Sequence, residues 1–152
     1  MDNQPVEQTR KFQEHKNQDF KGAIKDYSKA IKADKLNKDA FFNRGTCALA
    51  LKNFSDAMAD FDKTIKLAIE NDVLIGAHPS FPDTENFGRK VMHISKDELQ
   101  KSIQSQLDLF LERLYKFNRK LHHIKPHGAL YNLIAVDKEA ANHFVEMIQK
   151  YM

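Results

Sequence analysis

Apolar positions along the chain follow two different rhythms. Between residues 20 and 67 they recur at helical spacing: Phe20, Ala23, Tyr27 and Ile31, then Phe54, Ala57, Phe61 and Ile65, with Lys and Asp between them. The second set repeats the first 34 positions later, from Phe20 to Phe54, and the polar residues repeat with it: Asp26 and Asp60, Lys29 and Lys63, Lys32 and Lys66. A period of this length describes a unit of helix, short turn and helix, with small residues (Ala23, Ala57) where helices cross and aromatics filling the rest. Beyond residue 67 the pattern changes. The run "VLIGA" (73–77) is short, apolar and followed by a proline-rich loop, which predicts a buried strand, and "LHHIK" (121–125) predicts a second. Ser95 and Glu98 form a capping box ahead of Leu99, Ile103, Leu107, Leu111 and Leu114, so a long helix is expected over 96–119. Asp137 is placed to cap a last helix over 138–150, with Ala141, Phe144, Val145 and Ile148 on one face. Strand, helix, strand, helix is the order of a parallel α/β unit.

The segment "AFFNRGTCALALKNFSDAMADFDKTIKL" resembles a tetratricopeptide repeat, with Phe41 at the large aromatic position, Gly45 at the close-packing glycine and Ala57 at the small crossing position. The preceding unit, residues 5–37, matches in its second helix and departs in its first, where Lys11 replaces the glycine. Such units bury their apolar faces by stacking, about three together, so an array this short needs another surface to cover its end. The resemblance implies antiparallel helices and a candidate site for a peptide or helix at Asn43 and Arg44.

Composition narrows the class. Hydrophobic residues make up 41% and charged residues 30%, and no apolar run approaches the roughly 18 residues of a membrane span. The N-terminus "MDNQPVEQTRKFQEHK" shows no apolar signal core, so a cytoplasmic location is expected, with no membrane partner. Lys and Arg exceed Asp and Glu by only 24 to 21, and the charges are interspersed, which argues against a nucleic-acid partner. Cys47 is the one cysteine, so neither a disulfide nor a cysteine-based zinc site forms within a single chain; it is expected as a small core residue.

The candidate chemistry lies in two loops, each following a predicted strand. "VLIGAHPSFPDTENFGRKVM" and "HHIKPHGALYN" together resemble the central part of the LamB/YcsF family, the A subunit of 5-oxoprolinase, over about residues 68–152. The resemblance implies a TIM-like (β/α) barrel of the glycoside hydrolase/deacetylase type, and an ATP-dependent opening of the 5-oxoproline ring to L-glutamate together with partner subunits. It places His78, Asp83, Lys125 and His127 as catalytic candidates at the C-terminal ends of neighbouring strands, where barrel active sites are built. A lactam is a poor electrophile: Lys125 is suited to the developing oxyanion, His127 or His78 to proton transfer, and Asp83 to orienting an imidazole. Tyr131 and Asn132 are candidates for substrate hydrogen bonds. No metal is expected. His122 and His123, consecutive on a strand, are expected on opposite faces. The family's acidic opening motif, of the form D-L-N-x-D-x-G-E, is not in this sequence, and a complete barrel takes about 250 residues. The expected fold is therefore mixed α+β: tetratricopeptide-like helices over 1–67, then a partial barrel over 68–152.

Three functions remain open on these grounds: a 5-oxoprolinase-type hydrolase, a non-catalytic peptide-binding module, or a hybrid of two gene segments without evolved activity. Two parallel strands without the rest of a barrel leave unpaired edges, so self-association is also expected.

Overall fold

The computed structural model describes residues 4–83 and 85–152, with side chains from Asp19 onward. These residues are mostly helical and divide into two compact units, one ending at Val73 and one running from Leu74 to Met152.

The first unit contains α1 (Gln4–Ala33), α2 (Lys38–Ala50) and α3 (Phe54–Glu70). Two of these helices start at an asparagine: the Asn37 side chain accepts from the Ala40 N–H, and that of Asn53 from the Asp56 N–H, satisfying donors that a helix start leaves open. Gly45 fixes the approach of α2 to α3, because a Cβ at that position would stand 2.9 Å from the Phe61 ring. Only residues 51–53 join α2 to α3, and Arg44 meets Asp60 midway along both helices, so the chain doubles back and the two run antiparallel. Ala48 and Ala57 are buried, as is Cys47, whose thiol pKa is pushed up by burial. One expectation fails here. Residues 5–37 do not fold as helix, turn, helix; α1 is continuous to Ala33, and only the turn to α2 follows. The side chains of its opening turns, Lys11 among them, lie outside the described residues.

The second unit contains β1 (Gly76–Ala77), α4 (Lys96–Lys116), β2 (His123–Ile124), α5 (Gly128–Val136), α6 (Lys138–Ile148) and a closing 3-10 turn, Gln149–Tyr151. The strands pair in parallel, Gly76 opposite His123 and Ala77 opposite Ile124. They are shorter than the predicted 73–77 and 121–125. Val73 instead donates its N–H to the Ala68 carbonyl and finishes α3, and Asp72, at φ 53, turns the chain out of it. Pairing fades at the other end where Pro79 and Pro126 remove donors, although the chains stay side by side: Lys125 N–H donates to Ala77 O, and His127 N–H to Pro79 O.

Helix α4 begins with the predicted capping box, Ser95 and Glu98 each bonding the other's backbone N–H. It ends at Lys116 rather than 119, at a turn where Asn118 takes φ 51. Asp137 caps α6 through the N–H groups of Glu139 and Ala140. The core gathers Ala77, Phe81, Ile103, Leu107, Ala129, Leu130, Phe144 and Met147. On α6 the buried face is rotated from the predicted one: Met147 is inside, while Val145 is 60% exposed. Helix α5 is an addition to the predicted elements, although Leu130, Leu133 and Ile134 carry its helical spacing; Pro126, His127 and Gly128 mark a loop, but only the first two belong to it, and Gly128 already opens the helix.

Candidate functional site

The two histidine loops meet in the second unit, and glycines allow the meeting. Gly128 has φ +59 and lies so close to the other loop that a Cβ there would stand 2.5 Å from the Gly88 carbonyl oxygen. Gly88 has φ +67, and a Cβ on it would stand 2.6 Å from that of Ser80. Both positions thus need left-handed backbone and no side chain. The crossing is closed by the Ala129 N–H, which donates to Gly88 O at 2.9 Å. Gln106 on α4 holds the loop from beneath, accepting from Ser80 N–H and donating to Ser80 O. Phe81, the aromatic of the "HPSFPD" stretch, is 2% exposed and anchors the same loop in the core.

This crossing brings His78 and His127 together. Their ring centroids are 4.6 Å apart and the planes steeply inclined, with His78 Nε2 2.9 Å from His127 Nδ1. His78 Nδ1 donates to the Lys125 carbonyl at 2.6 Å, and His127 Nε2 to the Phe87 carbonyl at 3.0 Å. The imidazoles are therefore oriented by backbone carbonyls and by each other.

Asp83 belongs to a turn of its own. Its Oδ1 accepts from the Asn86 N–H and from Asn86 Nδ2, while Oδ2 has no hydrogen-bond partner among the described residues. The Asn86 side chain, above all, holds the carboxyl below its ordinary value, against partial desolvation, with help from the Asn86 and Lys90 backbone and the Lys90 charge. Neither imidazole is bonded to it. Lys125 contributes its carbonyl to His78 and sets its ammonium 6.0 Å from the centroid of the Tyr131 ring, a loose cation–π contact. Lys125, Tyr131 and Asn132 are exposed, so a solute can reach them.

His122 and His123 do not alternate across a strand. His122 precedes β2, its N–H donating to Ile75 O, and the two rings sit edge to face with their Nδ1 atoms 3.1 Å apart. The His123 ring occupies the space over Gly76, where a Cβ would meet its Nε2 at 2.2 Å. Among the described residues no three His, Cys, Asp or Glu side chains are grouped to hold a metal ion, and no helix is long and apolar enough to cross a membrane.

In the first unit, Asn43 is exposed, but the Arg44 guanidinium is committed: Nε and Nη2 grip the two carboxylate oxygens of Asp60 at 2.8 and 2.7 Å, and Nη1 donates to Ser28 Oγ. The bond to Asp60 raises the Arg44 pKa further. Phe41, the position singled out as a large aromatic, lies beneath this guanidinium at 5.6 Å. Sequence reasoning identified Asp60 only as a repeated polar residue; its recurrence at the Asp26 spacing on a helix otherwise facing inward was the signal of a buried partner.

Comparison with known proteins places these loops in context. The sequence profile of the LamB/YcsF family matches residues 54–152, so α3 falls within the matched range as well. The chain is 44% identical over 91 residues to the A subunit of 5-oxoprolinase from Fusobacterium nucleatum, covering 59% of this chain and 35% of that protein. It is 45% identical over 87 residues to that of Histophilus somni, covering 57% and 35%, and 41% identical over 90 residues to that of Pyrococcus horikoshii, covering 57% and 34%. Among solved structures, the lactam utilization protein from Thermus thermophilus superposes with a TM-score of 0.57 at 33% identity, over 61% of this chain and 38% of that one. The chain thus spans about a third of the length of the curated relatives it matches. With about two thirds of its residues under the profile, and the two histidine loops inside that range, the chain belongs to the LamB/YcsF family.

Proposed function

We infer that the unit from Leu74 onward is a segment of a (β/α) barrel of the kind formed by the A subunit of 5-oxoprolinase, and that it supplies part of a lactam-handling surface. One observation carries this: His78 and His127 lie 49 residues apart in sequence, in the two motif loops, and stand in direct contact. Lys125 would offer its ammonium to the oxyanion that develops on the lactam carbonyl. One of the imidazoles would move the proton, exchanging a carbonyl or ring partner for the substrate as it does so. Tyr131 and Asn132, exposed on α5, would offer hydrogen bonds to the ring, and Asp83 shapes the facing loop. ATP enters as the co-substrate of the complete system, bound with partner subunits; this sequence has no G-x-x-x-x-G-K-[ST] phosphate loop of its own.

The helices of the first unit are read as one tetratricopeptide-like unit, α2 with α3, preceded by the long α1, with the boundary between the two kinds of sequence near residue 67. Asn43 stays available to a bound peptide, while Arg44 serves the fold. The strand edges of β1 and β2 offer a second copy a place to pair, which sedimentation at several concentrations would reveal as mass action.

The test of the enzymatic role combines the purified chain with ATP, 5-oxoproline and the partner subunits, and follows glutamate release. Turnover that disappears in His127→Ala and Lys125→Met is the expected result. No turnover by the unaltered chain would remove the catalytic role and leave only the family membership.

A further inference from the structure

The two imidazoles pose a question of hydrogen count. His78 Nδ1 lies 2.6 Å from the Lys125 carbonyl oxygen and His127 Nε2 lies 3.0 Å from that of Phe87. A carbonyl oxygen only accepts, so both of these outer nitrogens carry hydrogen. A neutral imidazole has one N–H, and here each ring has already placed it outward. Two neutral rings would then aim bare lone pairs at each other across the 2.9 Å between His78 Nε2 and His127 Nδ1. One more hydrogen between these inner nitrogens turns a repulsive contact into a charge-assisted N–H···N bond.

We propose that His78 and His127 share three hydrogens among four nitrogens, a singly charged imidazole–imidazolium clasp that fastens the 78–90 loop to the 125–128 segment and opens when the shared hydrogen is withdrawn. The clasp spans the place where the loops need it. On one side of it His127 N–H donates to Pro79 O, and on the other Ala129 N–H donates to Gly88 O. The titratable groups on the packed elements are Asp83, Glu85, Arg89 and Lys90 on the first loop, Lys125 on the second segment and Tyr131 on α5; none is hydrogen-bonded to either ring among the described contacts. Asp83 is engaged with Asn86, and Lys125 is turned over Tyr131. Helix α4 meets the loop through the neutral Gln106. With no carboxylate on the rings, the hydrogen is held by the N···N contact itself. An N–H anchored on a carbonyl is also how metal-bound histidines are oriented, so metal must be an arm of the test. The clasp is independent of whether the chain opens a lactam.

The experiment uses the full chain labelled with 15N-histidine, in chelator, with long-range 1H–15N correlation at neutral pH and then at rising pH. Expected at neutral pH are N–H signals at His78 Nδ1 and His127 Nε2, with the inner nitrogens at shifts between N–H and bare nitrogen. As pH rises the inner nitrogens become bare, and amide exchange of Ala129, corrected for its intrinsic pH dependence, speeds up about tenfold, equivalent to about 1.4 kcal/mol. In His127→Gln the neutral amide donates to His78 Nε2 without an extra hydrogen. His78 should then keep a single N–H at Nδ1 throughout, and Ala129 exchange should lose its added pH dependence, with α4 amide protection reporting that the unit is folded. If this variant does not fold, the spectra of the unaltered chain decide alone. One N–H on each ring with two bare inner nitrogens at neutral pH overturns the proposal, as do N–H signals at all four nitrogens. An inner contact that forms only on stoichiometric addition of zinc overturns it in favour of a metal site.

Discussion

The unit ending at Val73 and the unit from Leu74 onward are held together by contacts of different reach. In the first, helices follow one another through turns at 34–37 and 51–53, and the ion pair that ties α2 to α3 joins residues 16 apart. In the second, the bonds that position the loops join residues separated by 26 to 49 positions. Closing those longer loops costs chain entropy before any contact is gained. Backbone must then pass close to backbone, and the second unit does this on glycines with left-handed φ, while the first does it with a glycine inside ordinary helix. The same residue type therefore carries unequal weight in the two units.

Gly128→Ala should have the largest effect. It combines a left-handed conformation costing roughly 1–2 kcal/mol for a residue with a Cβ with a collision against the Gly88 carbonyl, worth about 1–3 kcal/mol more. Denaturant unfolding followed by amide exchange should show a loss of about 3 kcal/mol in the second unit and unchanged protection in α2 and α3. Equal loss in both units would show that they unfold together.

Arg44→Met asks the converse question of the first unit. It leaves Asp60 buried, at 7% side-chain exposure, without its bidentate partner, whereas Arg44 itself keeps 26% exposure and with it some solvent screening. The loss expected for a fully buried pair, about 3–5 kcal/mol, is accordingly reduced to about 2 kcal/mol, read from the amide protection of α3. A loss below about 0.5 kcal/mol would mean that Ser28 and solvent satisfy the site without the guanidinium.

These two sites also show what could be read from residue order. Helical spacing, the Ser95–Glu98 box and the Asp137 cap are local, and each specified its helix. The long motifs likewise announced that two loops would matter, because proline, glycine and histidine at fixed positions have no role in a plain helix. Less accessible was anything set by a partner far along the chain or by a competing neighbour. Asp83 reads as an imidazole orienter, yet Asn86, three residues away, claims its carboxylate first. Arg44 reads as a surface ligand-binding residue until Asp60 is brought beneath it. The predicted strand at 73–77 loses its first residues because α3 runs on and needs the Val73 N–H for its own last carbonyls.

A smaller contrast lies in helix ends and interiors. Ser95→Ala removes the acceptor for the Glu98 N–H and half of the capping box, and should cost about 1 kcal/mol in the second unit. Gly22→Ala should act oppositely in the first. Gly22 stands inside α1 with nothing among the described residues within 4 Å of a new Cβ, so the change should stabilise by about 0.5–1 kcal/mol through helix propensity and the lost freedom of the unfolded chain. Thermal unfolding of each single variant checks the opposite signs.

The smallest effect expected is a pH dependence at two turns of the second unit. Glu98 is held below its ordinary value chiefly by the Ser95 N–H, then by the Ser95 hydroxyl, and Asp83 chiefly by the Asn86 side chain. A carboxyl whose folded value is depressed is protonated first in the unfolded chain. Its contribution is complete above the ordinary carboxylate range, near pH 4, and disappears as pH falls through the lower folded value. Amide exchange in the first turn of α4 and at Gly88, whose N–H donates to the Asp83 carbonyl, should therefore accelerate as pH falls below the ordinary carboxylate range, after correction for intrinsic rates. Glu98→Gln keeps the reach of the capping box and removes its charge, so it should flatten that response in α4 while leaving it intact at Gly88, and Asp83→Asn should do the reverse. If either variant flattened both, the two carboxyls would be coupled through the loop that joins them, and the second unit would respond to acid as one body rather than at two separate turns.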